Sequence, residues 1–569
     1  MYPIPPTETL VETKACRHCA VSFSITDKDL EFYEKVSPVF NGQKYLIPTP
    51  TLCPDCRQQR RLSFRNERKL YKRKCDATGR DIISIYSPDK SFKVYHQDFW
   101  WSDKWDAMEY GRDFDFKRSF FEQYWDLLKS VPRLCMSNKE SENSDYCNIS
   151  LNNKGCYLSF ATKDSEEIYY SFWITKCENC MDCAITEDSA EWYELLECNN
   201  CYDLRHSINC IHCSRSSFLI DCDNCSDCLL SIWLRNKSHY ILNKKVSEDE
   251  FDIINTRMQN DRWFHTEMQE KFNNLLKTSP RKNLKNIDSS DCIWDFYKHS
   301  SNCTNCFDIF NWEWLKHSLS CKGAAKDCYD CSFFANTENS LESSGIIGYK
   351  IAFSETCWHN KDIYYNNDCY NSSNLFWCIG LRNKSYCILN KQYTREEYEE
   401  LVPKIIEHMQ KTWEWGEFFP SSLNPFGYNE TVAQEYYPLI KEQAIKNWIF
   451  NWSDYEAPFP KVEKIIPASK LPDDITKIPD DILNWAIECE VTQKPFRIIK
   501  QELEFYRKHN LPIPRRHPDQ RHLDRMALRN PRKLFERRCD KCGTEMMTTY
   551  APERPEVVYC EGCYNKEIT

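Results

Sequence analysis

From Cys53 onward, CPDCRQQRRLSFRNERKLYKRKCDATG aligns without a gap to HPDQRHLDRMALRNPRKLFERRCDKCG, which begins at His517. The match continues to Trp100 in one copy and Tyr564 in the other, and upstream FSITDKDLEFYEK from Phe23 matches FRIIKQELEFYRK from Phe496. Any fold of this chain must therefore hold the same small unit twice, once at each end. Each unit is a tandem of two potential metal sites, and the two copies have decayed in complementary ways. The first half offers Cys16, Cys19, Cys53 and Cys56 at one end, and Cys489, Thr492, His517 and Gln520 at the other. The second half offers Cys75, Thr78, His96 and Phe99 against Cys539, Cys542, Cys560 and Cys563.

A structural zinc site takes four sulfur or nitrogen ligands in a tetrahedron, supplied by two short knuckles. Cys16/Cys19/Cys53/Cys56 and Cys539/Cys542/Cys560/Cys563 meet that demand, which predicts two structural zinc ions, one per end. Four thiolates leave no open position for water, so these ions stabilise folding and do not catalyse. The degenerate halves keep two plausible ligands each and are expected to survive as small β-hairpin units packed on their intact neighbours. Residues 16 to 57, CRHCAVSF...LEFY...PTLCPDCR, resemble a bacterial zinc-ribbon domain family. Residues 539 to 564, CDKCGTEM...RPEVVYCEGCY, resemble a second ribbon family with the pattern C-x2-C...R-P-x-x-x-Y-C-x2-C. The whole layout is similar to uncharacterised bacterial zinc-ribbon proteins. The resemblance implies zinc and a cytoplasmic location, and brings no activity with it.

Of the 33 cysteines, the 23 outside the two modules all lie between Cys135 and Cys387, nearly all of them in two arrays covering roughly 141 to 246 and 287 to 393. Each array ends in nearly the same phrase, LRNKSHYILNKK from Leu234 and LRNKSYCILNKQ from Leu381. Each phrase runs into a helix-capping pattern, Ser247 with Glu250 and Thr394 with Glu397, followed by an amphipathic helix. Within an array, short pieces such as CENCMDCAITED, CNNCYDLRHS and CDNCSDCLLSIWL recur at about eleven to thirteen residues. Asn, Asp and Ser alternate there with Cys, aromatic and aliphatic residues, the pattern of a β-solenoid. The C-x2-C spacing does not fit the period of two of a flat strand, which points to corners. Cys177/Cys180/Cys183 and Cys222/Cys225/Cys228 open like a ferredoxin run, but Glu187 and Ile232 stand where the fourth cysteine belongs. Cysteine packs well as a small apolar residue, so inward ladders of reduced thiols are expected. Extra zinc between coils is the alternative.

These signals predict a multidomain, mainly β protein in which the duplicated zinc-ribbon modules flank two Cys-rich, β-solenoid-like repeat arrays, each followed by a helix. The divisions are 1–111 (first site intact, second degenerate), 112–140 (a helical connector packed under the first array), 141–278, 279–412, 413–485 (an aromatic segment, a helix over 438–450 and a Pro-rich linker) and 486–569 (first site degenerate, second intact). A chain of 569 residues is past the size of a single core. The start lacks a signal-peptide pattern, and no stretch approaches the roughly 18 apolar residues that span a bilayer, so the expectation is a soluble cytoplasmic protein without a membrane partner.

The net charge of -10 gives no global attraction to nucleic acid, so such binding would have to rest on local patches. Two exist. Arg57, Arg61, Arg65, Arg68, Lys69 and Arg73 recur as Arg521, Arg525, Arg529, Arg532, Lys533 and Arg537. The spacing of Arg57, Arg61 and Arg65 aligns them on one side of a helix, where they could neutralise successive phosphates of RNA or DNA. Two readings compete with that one. In the first, the same arginines clamp acidic residues of the arrays, and the protein is a scaffold for protein partners or self-assembly. In the second, an enzyme uses His206, His212, His239, His299 or His317, which sit among cysteines and carboxylates. No nucleophile, base and orienter can be assigned, phosphate-loop and hydrolase motifs are missing, and no catalytic residue is named. The complementary decay of the two modules further predicts that the two basic segments lie close together in the folded chain.

Overall fold

The computed structural model describes residues 4–286, 289–290, 292, 297–310, 312–321, 323–448 and 450–568. Residues 287 and 288, where the second array is expected to open, and residue 449 of the expected helix lie outside that set. The chain is mainly β, dominated by two eleven-stranded sheets, one per array. Within each sheet neighbouring strands run parallel until a closing antiparallel hairpin, Ser238–Ile241 with Lys244–Lys245 and Ser385–Ile388 with Lys391–Gln392. In the first array every strand pairs with the segment twelve residues on, as in Phe172 with Ala184 and Tyr202 with Ser214. Among the described residues the second array has a longer repeat, which pairs Trp312 with Ala325, and shorter ones, which pair Ser290 with Ser301 and Thr337 with Gly348. The repeat at Thr337 needs glycine. Gly348 has φ +146°, and a Cβ there would lie 2.1 Å from the Asn360 carbonyl oxygen.

A second, finer period explains the cysteine spacing. From Leu158 to Leu242 every third residue has a left-handed backbone conformation, and the same holds along most of the second array. Such residues turn the chain, and Asn, Asp and Gly accept the conformation most easily, which accounts for the abundance of Asn and Asp. From Leu158 to Trp233 the residue that follows each turn is buried, and this is where the cysteines stand: Cys177, Cys180, Cys183, Cys198, Cys201, Cys210, Cys213, Cys222, Cys225 and Cys228. The C-x2-C pairs thus mark successive buried positions between turns, not the corners themselves.

Where a Ser or Cys stands one repeat earlier, its side chain can accept from the amide of the buried residue. Cys177 N–H donates to Ser165 Oγ at 3.1 Å, Cys183 N–H to Ser171 Oγ at 3.0 Å and Cys213 N–H to Cys201 Sγ at 3.3 Å. The same hydroxyls and thiols donate to the carbonyl two residues back, as Ser171 does to Tyr169 at 2.8 Å and Cys183 to Met181 at 3.3 Å. Only a short side chain with both a donor and an acceptor satisfies both demands, so Ser and Cys fill these positions alongside Leu, Ile and Trp. None of these thiols forms a disulfide. Burial pushes Cys156 up to about 11 and Cys180 well above the ordinary thiol range. Iodoacetamide applied to the folded protein should therefore leave Cys180, Cys213 and Cys306 unlabelled until denaturant is added. Labelling at the rate of a free thiol would show an open interior.

The repeated LRNKS...ILN phrase closes each ladder. Asn243 and Asn390 carry left-handed backbones, and their side-chain oxygens accept from the amides of Ile232 and Ile379, each at 2.8 Å. The capped helices follow as expected: Glu248–Asn260 behind Ser247, continued by Arg262–Thr278, and Arg395–Lys411 behind Thr394 with Glu397. The helix expected over 438–450 spans Lys441–Trp448. The connector helix, Phe120–Ser130, buries Phe120, Tyr124, Leu127 and Leu128, but against the second array rather than the first. Phe120 stacks on Trp377 at 3.7 Å and packs edge-on to Tyr365. Among the described residues no helix is long and apolar enough to cross a membrane.

The modules pack crosswise. Phe32 and Tyr33 of the N-terminal helix Asp27–Val36 share a core with the second array, with Phe32 stacked on Tyr329 at 3.8 Å. Their counterparts Phe505 and Tyr506, on the C-terminal helix Lys500–Lys508, share a core with Tyr170, Met181 and Tyr193 of the first array. The second halves are arranged the opposite way. Strand Val94–Tyr95 pairs in parallel with Arg133–Leu134, the lead into the first array, and strand Val558–Tyr559 pairs in parallel with Arg281–Lys282, the lead into the second. Each module therefore bridges both arrays.

Candidate metal centres

In the first intact site a hairpin of Leu10–Ala15 with Ser22–Thr26 ends in the knuckle of Cys16 and Cys19, closed by Cys16 N–H to the Val21 carbonyl and by the left-handed Ala20. The other two thiols come from a helix start: Cys53 is the N-cap of Pro54–Ser63 and Cys56 lies in its first turn. The Arg17 amide bonds to Thr51 and fastens one knuckle to the other. The second intact site repeats this plan. Strands Phe535–Arg538 and Glu545–Thr548 carry Cys539 and Cys542, with Gly543 at φ +74° in the place of Ala20, and Cys560 and Cys563 lie at the start of helix Glu561–Ile568.

In each set the four Sγ atoms all lie within 4.8 Å of one another. Cys19 and Cys53 are 3.7 Å apart, and so are Cys542 and Cys560. A disulfide would bring them to about 2.05 Å. A tetrahedral ion with metal–sulfur bonds of about 2.3 Å separates its ligands by about 3.8 Å, so the geometry fits four thiolates around one ion. The thiols of each set share their protons unevenly: hydrogen bonding from Cys56 holds the Cys53 thiol down to about 6, and the Thr544 hydroxyl and amide do the same for Cys542, to about 6, while Cys53 pushes Cys56 up and Cys542 pushes Cys563 up. A helix N-terminus further favours the anionic form at Cys53.

The degenerate sites keep the knuckle turn without the ligands. Gly79 and Gln493 hold the left-handed position that Ala20 and Gly543 hold in the intact sites, and each lone sulfur accepts a backbone amide: Cys75 from His96 at 3.3 Å, Cys489 from Thr492 at 3.4 Å. His96 and His517 have become helix caps, accepting from the amides of Asp98 and Asp519. Hairpins of Tyr71–Lys74 with Asp81–Ser84 and of Ala486–Glu488 with Pro495–Phe496 preserve the unit by packing alone.

The basic segments do approach each other, since Lys69 pairs with Asp519 at 2.6 Å and Arg68 reaches the same carboxylate. They do not, however, build a free positive surface. Arg57 and Arg61 lie buried on the second array, with Arg57 at 2.8 Å and Arg61 at 3.3 Å from Asp330. Between them Arg60 reaches Glu342 at 2.6 Å and Glu417 at 3.3 Å. Arg521 and Arg525 lie equally buried on the first array, both bonded to Asp182, with Arg525 at 2.7 Å and Arg521 also reaching Glu502. Arg65 pairs with Glu67 and lies over Phe333, Arg73 pairs with Asp76 and Arg537 with Asp540. Arg529 joins the two arrays by bonding both Glu197 and Asp308, and Arg532 adds a second bond to Asp308 while lying over Tyr436. Among the described residues, Lys533 is the member of the twelve without an acidic partner; it is exposed and lies over Phe535. Eleven of the twelve basic residues expected to face phosphate thus pair with carboxylates of the same chain.

The carboxylates of these clamps were not singled out by sequence. Asp182 and Asp330 are single aspartates among dozens of Asx residues, yet they stand at the same place, C-M-D-C ending at Cys183 and C-Y-D-C ending at Cys331, each at a left-handed turn. Comparing the two arrays with each other finds them. Four of the five candidate histidines have structural settings. His206 bonds Glu194 at 2.7 Å and stacks on Phe218, His212 faces Asp223, His239 packs on Phe251, and His317 is half-buried beside Asn305. No protein-family model matches the chain, and no curated protein matches it by sequence.

Proposed function

We propose that this protein is a non-catalytic scaffold in which two structural zinc ions set the ends of ribbon modules, and the modules lock two four-sided β-solenoids together. The reading rests on one observation above the others: the arginine stripes that issue from the ribbons end on Asp182, Asp308 and Asp330 of the arrays. The turn at every third residue with pairing twelve residues on supports the solenoid, and the resemblance of both ribbons to zinc-ribbon families supports zinc as the metal. Reduced, buried thiols throughout the arrays suit a reducing compartment such as the cytoplasm. What remains outward on the first array is a ladder of mixed charge, Lys154 with Glu166, Lys176 with Asp188 and Arg215 with Asp227, which is a surface for protein partners rather than for phosphate.

Fluorescence anisotropy with single-stranded RNA and duplex DNA tests this against the nucleic-acid reading. The scaffold reading expects no binding at micromolar protein in low salt. Binding that weakens steeply with salt would restore a polyanion-binding role and overturn the assignment of the arginines.

A further inference from the structure

The crosswise contacts come in matched pairs. Arg57 and Arg61 of the N-terminal module hold Asp330 of the second array, and the aligned Arg521 and Arg525 of the C-terminal module hold Asp182, the equivalent residue of the first. Arg133, leading into the first array, bonds Asp368 of the second at 3.2 Å. Arg281, which occupies the same position ahead of the second array, faces Asp221 of the first at 3.7 Å. Asp221 and Asp368 both begin a D-C-x-N run and stand at the same distance before the shared LRNKS phrase. The strand pairings repeat down to single bonds: the Arg133 amide donates to Lys93 and Cys135 to Tyr95, as Arg281 does to Val557 and Asn283 to Tyr559. The apolar contacts follow suit, Phe32 on Tyr329 in one case and Phe505 near Tyr193 in the other.

All four clamps cross one line in the sequence, the Ser279–Pro280 step between helix Arg262–Thr278 and strand Arg281–Lys282. We infer that residues 1–278 and 279–569 are two mutually recognising half-molecules, and that the surface between them is a specific binding surface whose partner is a ribbon-and-array polypeptide carrying the reciprocal residues. The recognition elements are an R-x3-R helix behind a ribbon knuckle on one side and a C-x-D-C turn on the other, each half contributing one of each. In this chain the partner is its own other half, as in a homodimer fused into one polypeptide. A closed pair with reciprocal contacts is the arrangement that a twofold interface requires, residue i meeting j while j meets i. The inference does not depend on what the scaffold carries.

The test uses the full chain with a specific protease site inserted between Thr278 and Arg281. Before cleavage the protein must hold the same metal as the unmodified chain. After complete cleavage, verified on a denaturing gel, the halves should co-elute as one particle near the intact 68.1 kDa and stay together on dilution to nanomolar concentration. Halves that separate in native buffer would overturn the proposal. In a second cleavable protein carrying Arg61→Gln and Arg525→Gln, the nicked halves should part at least about thirty-fold more readily, because each change strips one partner from a buried, hydrogen-bonded charge pair. Equal dissociation with and without the substitutions would place recognition elsewhere and equally overturn it.

Discussion

Elemental analysis of the purified protein should return two zinc ions per chain, Cys53→Ser should lower that to one, and Cys53→Ser with Cys560→Ser should abolish it. Apparent binding free energies of structural zinc are about 10–16 kcal/mol, as large as the whole net stability of an ordinary domain, about 5–15 kcal/mol. Removal of the metal by a strong chelator should therefore unfold the ribbons. The consequence reaches beyond the knuckles. Cys53 is the N-cap of the helix that carries Arg57, Arg60 and Arg61 to Asp330 and Glu342, so loss of the first ion also frees the N-terminal module from the second array. At the other end Cys560 follows strand Val558–Tyr559, whose pairing leads into the second array. Mass spectrometry of the metal together with a melting curve in chelator checks both statements. Fewer than two ions per chain, or zinc retained after the double substitution, refutes the assignment.

Asp182→Asn and Asp330→Asn should each destabilise the protein by about 3–5 kcal/mol, because either change removes the carboxylate that two buried guanidinium groups share, leaving only Glu502 beside Arg521 and Glu342, 3.9 Å away, beside Arg61. A control at an exposed pair, Lys154→Ala opposite Glu166, should leave the unfolding curve close to that of the unmodified protein. Urea unfolding distinguishes the two classes, and equal small effects would show that the clamps are not what holds the modules. Two of the clamp carboxylates, Asp330 and Asp308, set a response to acid. Burial works to raise Asp330, but Arg57 and Arg61 outweigh it and hold the carboxyl below its usual range; Arg529 and Arg532 do the same at Asp308. A carboxylate whose folded value lies below its unfolded value contributes stability that is present above the unfolded value and lost as pH falls through the folded one. Acid should therefore release the modules from the arrays, an effect that Asp330→Asn removes from its own clamp.

Much of this was legible in the sequence because it is written as repetition. The aligned modules place Cys16, Cys19, Cys53 and Cys56 in one site and Cys539, Cys542, Cys560 and Cys563 in another, and tetrahedral coordination by two knuckles is a local property that spacing captures. The Ser247 and Thr394 caps and the helices behind them were equally local. The period of the arrays was readable as well, but the role of its cysteines was not. The reason is that a turn at every third residue replaces the alternation of an ordinary strand, and Sγ serves there as both donor and acceptor for the repeat above.

The direction of packing was beyond the sequence for a different reason. An arginine stripe such as Arg57, Arg61 and Arg65 reads the same whether phosphate or carboxylate faces it, and Asp182 or Asp330 looks like any other turn residue until the arrays are stacked. The connector helix shows the same limit: its apolar face was evident in Phe120, Tyr124, Leu127 and Leu128, yet nothing local told which array would cover it. By itself the sequence determined the composition of each unit, the metal ligands, the repeat length and the caps, because each depends on residues within one or two turns of chain. Only the tertiary structure decided which module meets which array, because that choice is made by buried charge pairs between residues hundreds of positions apart, and their energy exists only once water has been excluded from between them.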